Sequence, residues 1–290
     1  MKGFLSSLKS RILVCDGAMG TMLVSKGLPP GGCPEEWNIT HPEVVIGIHR
    51  AYIAAGCDII ETNTFGANAI KLSHYGLKKE VCRLNEAAVR LARQVAGDKV
   101  FVASSVGPMG KILEPYGDLK KEEAYDVFSE MVISQTDAGV DAIIIETMSD
   151  LEEARLTLKA AKKFGVPVIC TLTFDRGGRT MMGVKPDDAA RVIEDEGADV
   201  VGANCGTGPE DMLGVVEIMR KATHLPLIAQ PNAGIPRLEG LKTVYDALPE
   251  VIGEYTARFI EIGVSIAGGC CGTTPDHIRR IADIVRTYQR

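Results

Sequence analysis

The chain has 290 residues, 46% of them hydrophobic and 24% charged, and a formal net charge of −6 at neutral pH. That balance suits a soluble globular protein with ample material for a core and excludes a disordered chain. The acidic excess is spread along the sequence without a basic patch for nucleic acid, and no apolar run approaches the ~20 residues of a membrane-spanning helix.

The N-terminal stretch MKGFLSSLKSRILVCDGAMG carries a charge in its middle and lacks a long apolar run, so it does not read as an export signal and the expected location is the cytoplasm. Eight cysteines in such a chain argue against a disulfide framework and leave thiols available for chemistry. Cys15, Cys57 and Cys170 lie in apolar segments and read as small core residues.

In chain order, short apolar runs rich in β-branched residues predict strands at 11–15 (RILVC), 58–62 (DIIET), 100–106 (VFVASSV), 141–147 (DAIIIET), 167–174 (PVICTLTF), 199–204 (DVVGAN), 226–230 (PLIAQ) and 264–269 (VSIAGG). Between them lie helical patterns such as PEVVIGIHRAYIAAG, EEAYDVFSEMVISQTDAG, LEEARLTLKAAKKFG and PDHIRRIADIVRTYQ, several opening on Pro, Asp or Glu and closing on Gly. Gly56, Gly139, Gly165, Gly197 and Gly263 each stand between a helix and the next strand, as tight turns require. Eight alternating units predict a single-domain (β/α)8 TIM barrel over residues 1–290, with a doubly wound open sheet as the alternative.

Such barrels build their active sites at the carboxyl ends of the strands. The polar residues expected there are Asp16, Glu61, Thr62, Asn63, Glu146, Asp175, Asn204, Cys205, Gln230, Asn232, Cys270 and Cys271. Cys205 in GANCGTG and the pair Cys270–Cys271 in AGGCCGT meet on this rim, and three thiolates with one open position is the pattern of a catalytic zinc site. His277 begins the following helix and reads as a surface residue, not as a fourth ligand. The competing reading makes these glycine-rich loops a phosphate cradle with incidental cysteines. Asp16 and Glu146 read either as a cap and a core-lining acid, or as a pair that grips a substrate ammonium. The N–H groups of Gly17, Ala18 and Met19 are placed to take a carboxylate, and the two features together would recognise an α-amino acid. The loop 173–183 reads as a flexible cover or a solvated connection, and Trp37 as part of the mouth or of the packing.

DGAMGTM (16–22), NITHPEVVIGIHRAYIAAGCDIIETNTFGAN (38–68), GANCGTGP (202–209) and GGCCGTTP (268–275) resemble the signatures of the homocysteine S-methyltransferase family, most nearly the homocysteine-binding module that opens cobalamin-dependent methionine synthases. The resemblance runs over essentially the whole chain. It implies that Cys205, Cys270 and Cys271 bind Zn²⁺ and are catalytic, that Asp16 and Glu146 hold the amino acid, and that Asn232 in QPNAG takes the fourth zinc position when substrate is absent. It further implies that a zinc-bound homocysteine thiolate attacks a methyl group to give methionine. The sequence ends with the eighth helix, so the expected donor is methylcobalamin on a separate corrinoid protein or domain. A small donor (betaine or S-methylmethionine), a different thiol acceptor, and a non-catalytic zinc- or phosphate-binding barrel are the alternatives.

Overall fold

Near-continuous apolar strands separated by amphipathic helices can bury both faces only as a parallel sheet with helices outside it. The computed structural model describes residues 3–240 and 242–289 and has that arrangement. Its strands are β1 Leu13–Val14, β2 Ile59–Glu61, β3 Phe101–Val106, β4 Ala142–Met148, β5 Val168–Leu172, β6 Val200–Cys205, β7 Leu227–Pro231, β8 Arg237–Glu239, β9 Lys242–Val244 and β10 Val264–Ala267. Strands β8 and β9 form a separate antiparallel hairpin in the loop after β7, which the sequence reading did not anticipate. The other eight pair in parallel in the order β1-β10-β7-β6-β5-β4-β3-β2, and a bridge between Cys15 and Ile59 joins the two ends into a barrel. The open-sheet alternative falls with that closure.

All eight barrel strands lie where the apolar runs placed them, with several ends trimmed by one or two residues. Strand β1 is two residues long, extended by the bridge at Cys15, and β5 stops at Leu172 because the chain then turns into the 173–183 loop. Helices occupy Pro42–Ala55, Lys121–Asp137, Leu151–Ala161 and Pro275–Tyr288 as the patterns predict. The first begins on Pro42 and ends at Gly56, and all five turn glycines have the positive φ that a side chain would resist.

Two apolar layers hold the barrel together. Strand residues such as Val14, Ile60, Val102, Ile145, Cys170 and Val201 face outward into the helices, and Cys57 belongs to the same outer layer. Leu13, Ile59, Phe101, Ala103, Ala142, Ile144, Ile169, Val200, Ile228 and Ile266 face inward and fill the barrel. A short N-terminal helix, Phe4–Leu8, sets Phe4 edge-on against Phe101 at a ring separation of 5.3 Å and closes the amino end. No helix is long and apolar enough to cross a membrane among the described residues.

Candidate active site

Side chains on a strand face the same way every second residue, so the inward positions can be counted by twos from the filled interior toward the carboxyl ends. The count passes from Leu13 to Cys15, Ile59 to Glu61, Ala103 to Ser105, Ile144 to Glu146, Ile169 to Thr171, Val200 to Asn204 and Ile228 to Gln230. The interior thus changes from apolar to polar within one layer. Above that layer opens a cavity of about 240 Å³. Among the described residues lining it, none is Lys, Arg or His, so no cationic side chain there offers an anion a charge partner.

One side of the cavity carries sulfur. The Sγ atoms of Cys205, Cys270 and Cys271 lie within 4.8 Å of one another. In a regular strand Cys205 would point outward, since it follows inward-facing Asn204; its φ of 62° turns it back toward the other two. Hydrogen bonds from Cys270 and Cys271 pull Cys205 down to about 3. The same bonds to Cys205 hold Cys270 well above the usual thiol range and push Cys271 up to about 11. Three thiols sharing protons in this way are ready to exchange them for a cation. Asn232 sits beside Cys205, its Nδ2 donating to the Gly206 carbonyl at 2.7 Å, while its buried Oδ1 has no partner among the described residues. Three sulfurs this close form a donor set that fits three of the four positions of a tetrahedral zinc ion.

The opposite side carries carboxylates. Asp16 Oδ2 accepts the Glu61 N–H at 3.0 Å, so Asp16 caps no helix, and the cap of the following helix is Ala18. Glu61 Oε1 accepts from Gln230 Nε2 at 2.6 Å and from the Cys15 thiol at 3.3 Å. Glu146 Oε1 accepts from Ser105 Oγ at 2.5 Å and its Oε2 from Asn204 Nδ2 at 3.0 Å. Burial, and then the neighbouring carboxylates, push Glu61 up to about 7 and hold Asp16 and Glu146 well above the carboxylate range. This side lacks a positive charge, and an ammonium group supplies one.

The turn Gly17–Met19 joins the two sides. The Ala18 N–H is already given to Thr273 Oγ1 at 3.2 Å, so of the three amides expected to take a carboxylate only those of Gly17 and Met19 lack an acceptor among the described residues. Thr273 also donates to the Cys270 carbonyl at 2.7 Å, and the Tyr52 hydroxyl bridges the carbonyls of Ala18 and Thr273, each at 3.2 Å. Gly17 must be glycine here, because a Cβ would stand 2.6 Å from Thr273 Oγ1.

His277 is a correction: it is buried and caps its own helix, with Nδ1 accepting the Thr274 N–H at 3.1 Å and Nε2 against the Ala247 carbonyl at 2.9 Å. Trp37 is buried and stacks on His41 with ring centroids 4.2 Å apart; it is not among the described residues lining the cavity. The 173–183 loop consists of tight turns, Gly178 N–H to Asp175 and Gly183 N–H to Thr180, with Met181 exposed. Glu61, Gln230 and Asn204 were legible as rim residues but not as partners of the acids, and counting by twos from Ile59, Ile228 and Val200 is the signal that finds them.

The homocysteine S-methyltransferase family matches residues 13–285. Methionine synthase of Mycobacterium leprae (strain TN) is 35% identical over 97% of this chain and 25% of its own length. Methionine synthase of Mycobacterium tuberculosis (strain ATCC 25618 / H37Rv) is 35% identical over 99% of the chain and 26% of its own. The chain therefore spans about a quarter of these curated relatives. In fold it resembles the metallated form of the homocysteine methyltransferase MmuM from Escherichia coli, with a TM-score of 0.81 at 22% identity over 96% of this chain and 98% of that one. The chain belongs to the homocysteine S-methyltransferase family.

Proposed function

We propose that this chain transfers a methyl group to the sulfur of homocysteine, giving methionine, with Zn²⁺ as its metal and a methylated corrinoid on another protein or domain as the donor. The observation that carries the reading is a single cavity lined both by three cysteines and by Glu61 and Glu146, with Asp16 buried against the Glu61 backbone. Family membership supports the acceptor, and the likeness of the motifs to cobalamin-dependent methionine synthases supports the donor.

Asp16, Glu61 and Glu146 receive the substrate ammonium, which lets them ionise at neutral pH despite their burial. The N–H groups of Gly17 and Met19 face the carboxylate. Held at that end, homocysteine extends its thiol toward Cys205, Cys270 and Cys271. These cysteines would hold zinc, with Asn232 Oδ1 or the substrate sulfur in the fourth position, and a bound zinc ion supplies the Lewis acidity that keeps a thiol of ordinary pKa ~8.5 deprotonated. The thiol proton leaves to solvent. The sulfur then takes the methyl group as the donor–carbon bond breaks, and that bond's electron pair stays with the donor. The product thioether is a weaker ligand than a thiolate and leaves the cysteine side. Eight cysteines, all free, support a reducing, cytoplasmic setting.

The test offers purified protein homocysteine with methylcobalamin, betaine or S-methylmethionine in separate reactions, before and after metal removal. We expect methionine from methylcobalamin, about one zinc per chain, and loss of activity with the metal. Activity undiminished in metal-free protein would overturn the zinc assignment, and methionine formed only from a small donor would overturn the corrinoid one.

A further inference from the structure

Two non-glycine residues among those described have a left-handed backbone, Thr147 at φ 61° and Cys205 at φ 62°. For the β-branched Thr147 this conformation is a strong departure from preference. Each follows an inward-facing polar residue, Glu146 in one case and Asn204 in the other, and each sits at the carboxyl end of its strand, β4 or β6. Strands β4 and β6 are not neighbours; β5 lies between them.

The Asn204 side chain, 1% exposed, spans that gap. Its Oδ1 accepts the Thr147 N–H at 2.7 Å and the Thr171 hydroxyl at 2.8 Å. Its Nδ2 lies 2.7 Å from Thr147 Oγ1, 3.0 Å from Glu146 Oε2 and 3.8 Å from Cys270 Sγ. Two amide hydrogens face three acceptors, so they serve Thr147 and Glu146 first and leave Cys270 the weakest share. One buried amide therefore holds the strained corner of β4, orients the carboxylate beside it, and abuts a cysteine of the sulfur side. A residue needed only to fill the barrel would not require an amide here, since a fully used buried amide is far harder to replace than an apolar side chain.

We propose that Asn204 is a positioning residue that fixes the spacing between the ammonium-binding acids and the sulfur-binding cysteines, so that the protein selects a thiol bearing an amino group at the homocysteine chain length. This rests on the homocysteine reading above and names the residue that enforces it.

Calorimetric binding to zinc-loaded protein tests the assignment with homocysteine and with 4-mercaptobutanoate, the same thiol acid without the amino group. Wild-type protein should prefer homocysteine. Asn204→Ala should lose between about ten- and a hundred-fold of that preference, the range expected for a hydrogen bond to a charged group, with 4-mercaptobutanoate affinity changed only a few-fold. Asn204→Asp keeps the shape and both acceptances, removes the donations to Glu146 and Thr147 Oγ1 and sets a carboxylate oxygen against Glu146 in their place, so it should turn Glu146 away and lose the preference too; it carries the test where the alanine variant does not fold. Equal weakening of both thiols, or an unchanged preference in the aspartate variant, would overturn the proposal. Wild-type protein with no preference at all would instead overturn the homocysteine reading, and this inference with it.

Discussion

The two sides of the cavity reach it by different routes. Glu61 and Glu146 each take the next inward position after an apolar one on their strands, Glu146 just before the left-handed Thr147, and Asp16 stands in the turn that follows β1. The cysteines arrive by breaking strand geometry: Cys205 through a left-handed backbone, Cys270 and Cys271 as consecutive residues of a loop whose Cys270 N–H is fixed to the Pro231 carbonyl at 2.9 Å. Both sides gather groups that repel one another when charged, and both hold protons in place of a cation. The carboxylate side is suited to recognising an ammonium. The irregular side is suited to a metal, whose ligands must converge from directions no single strand provides.

The largest effect that separates the sides is expected from Cys270→Ala. Zinc affinity should fall by about a hundred-fold or more and methyl transfer with it, because two thiols no longer make the donor set; metal analysis after dialysis against a weak chelator reads this directly. An alanine variant that retains zinc would show that the sulfur side does not need its third member.

Glu146→Gln should act on the other side alone. The KM for homocysteine is expected to rise by about ten-fold or more while zinc content stays at the wild-type value. Loss of zinc in this variant would mean that the two sides are not separable functions.

The smallest effect isolates burial from the cavity. Glu153, in the helix after β4, is buried and accepts the Met109 N–H at 2.7 Å, and burial pushes it from 4.5 to about 7. The folded chain thus keeps a proton that the unfolded chain releases near pH 4.5, so this group's contribution to stability falls as pH rises from about 4.5 to about 7 and is level above that. Glu153→Gln keeps the acceptor and removes the titration, and should raise stability at pH 8 by on the order of 1–2 kcal/mol with little change at pH 4.5. Urea unfolding at the two pH values checks it; an equal effect at both would refute the burial account.

How far the molecule was legible in its sequence depends on which kind of order a residue obeys. The barrel was legible because alternation of strand and helix leaves few ways to bury both faces, and the five turn glycines marked its joints. The cysteines, Asp16 and Glu146 were legible because they end apolar runs. The partnership of Glu61 with Gln230 across the barrel was not, since it depends on strands far apart in sequence, and that distance appears only once the ring is closed. His277 misled because a histidine three residues into a helix looks solvent-facing; the reciprocal cap with Thr274 that buries it needs backbone geometry. Strand β8 of the hairpin is exposed throughout, so it left no periodic trace.

Among the described residues, the helix Phe4–Leu8 and the filled interior above it close the amino end, and the cavity lies at the carboxyl end of the strands. For the proposed reaction this sets an order of traffic. A thiol whose ammonium rests on the innermost polar layer must enter before a methyl donor arrives over it, and the methylated product can depart only once the spent donor has moved aside. The turnover is then sequential, with the amino acid first in and last out, and the donor is always the visitor at the entrance.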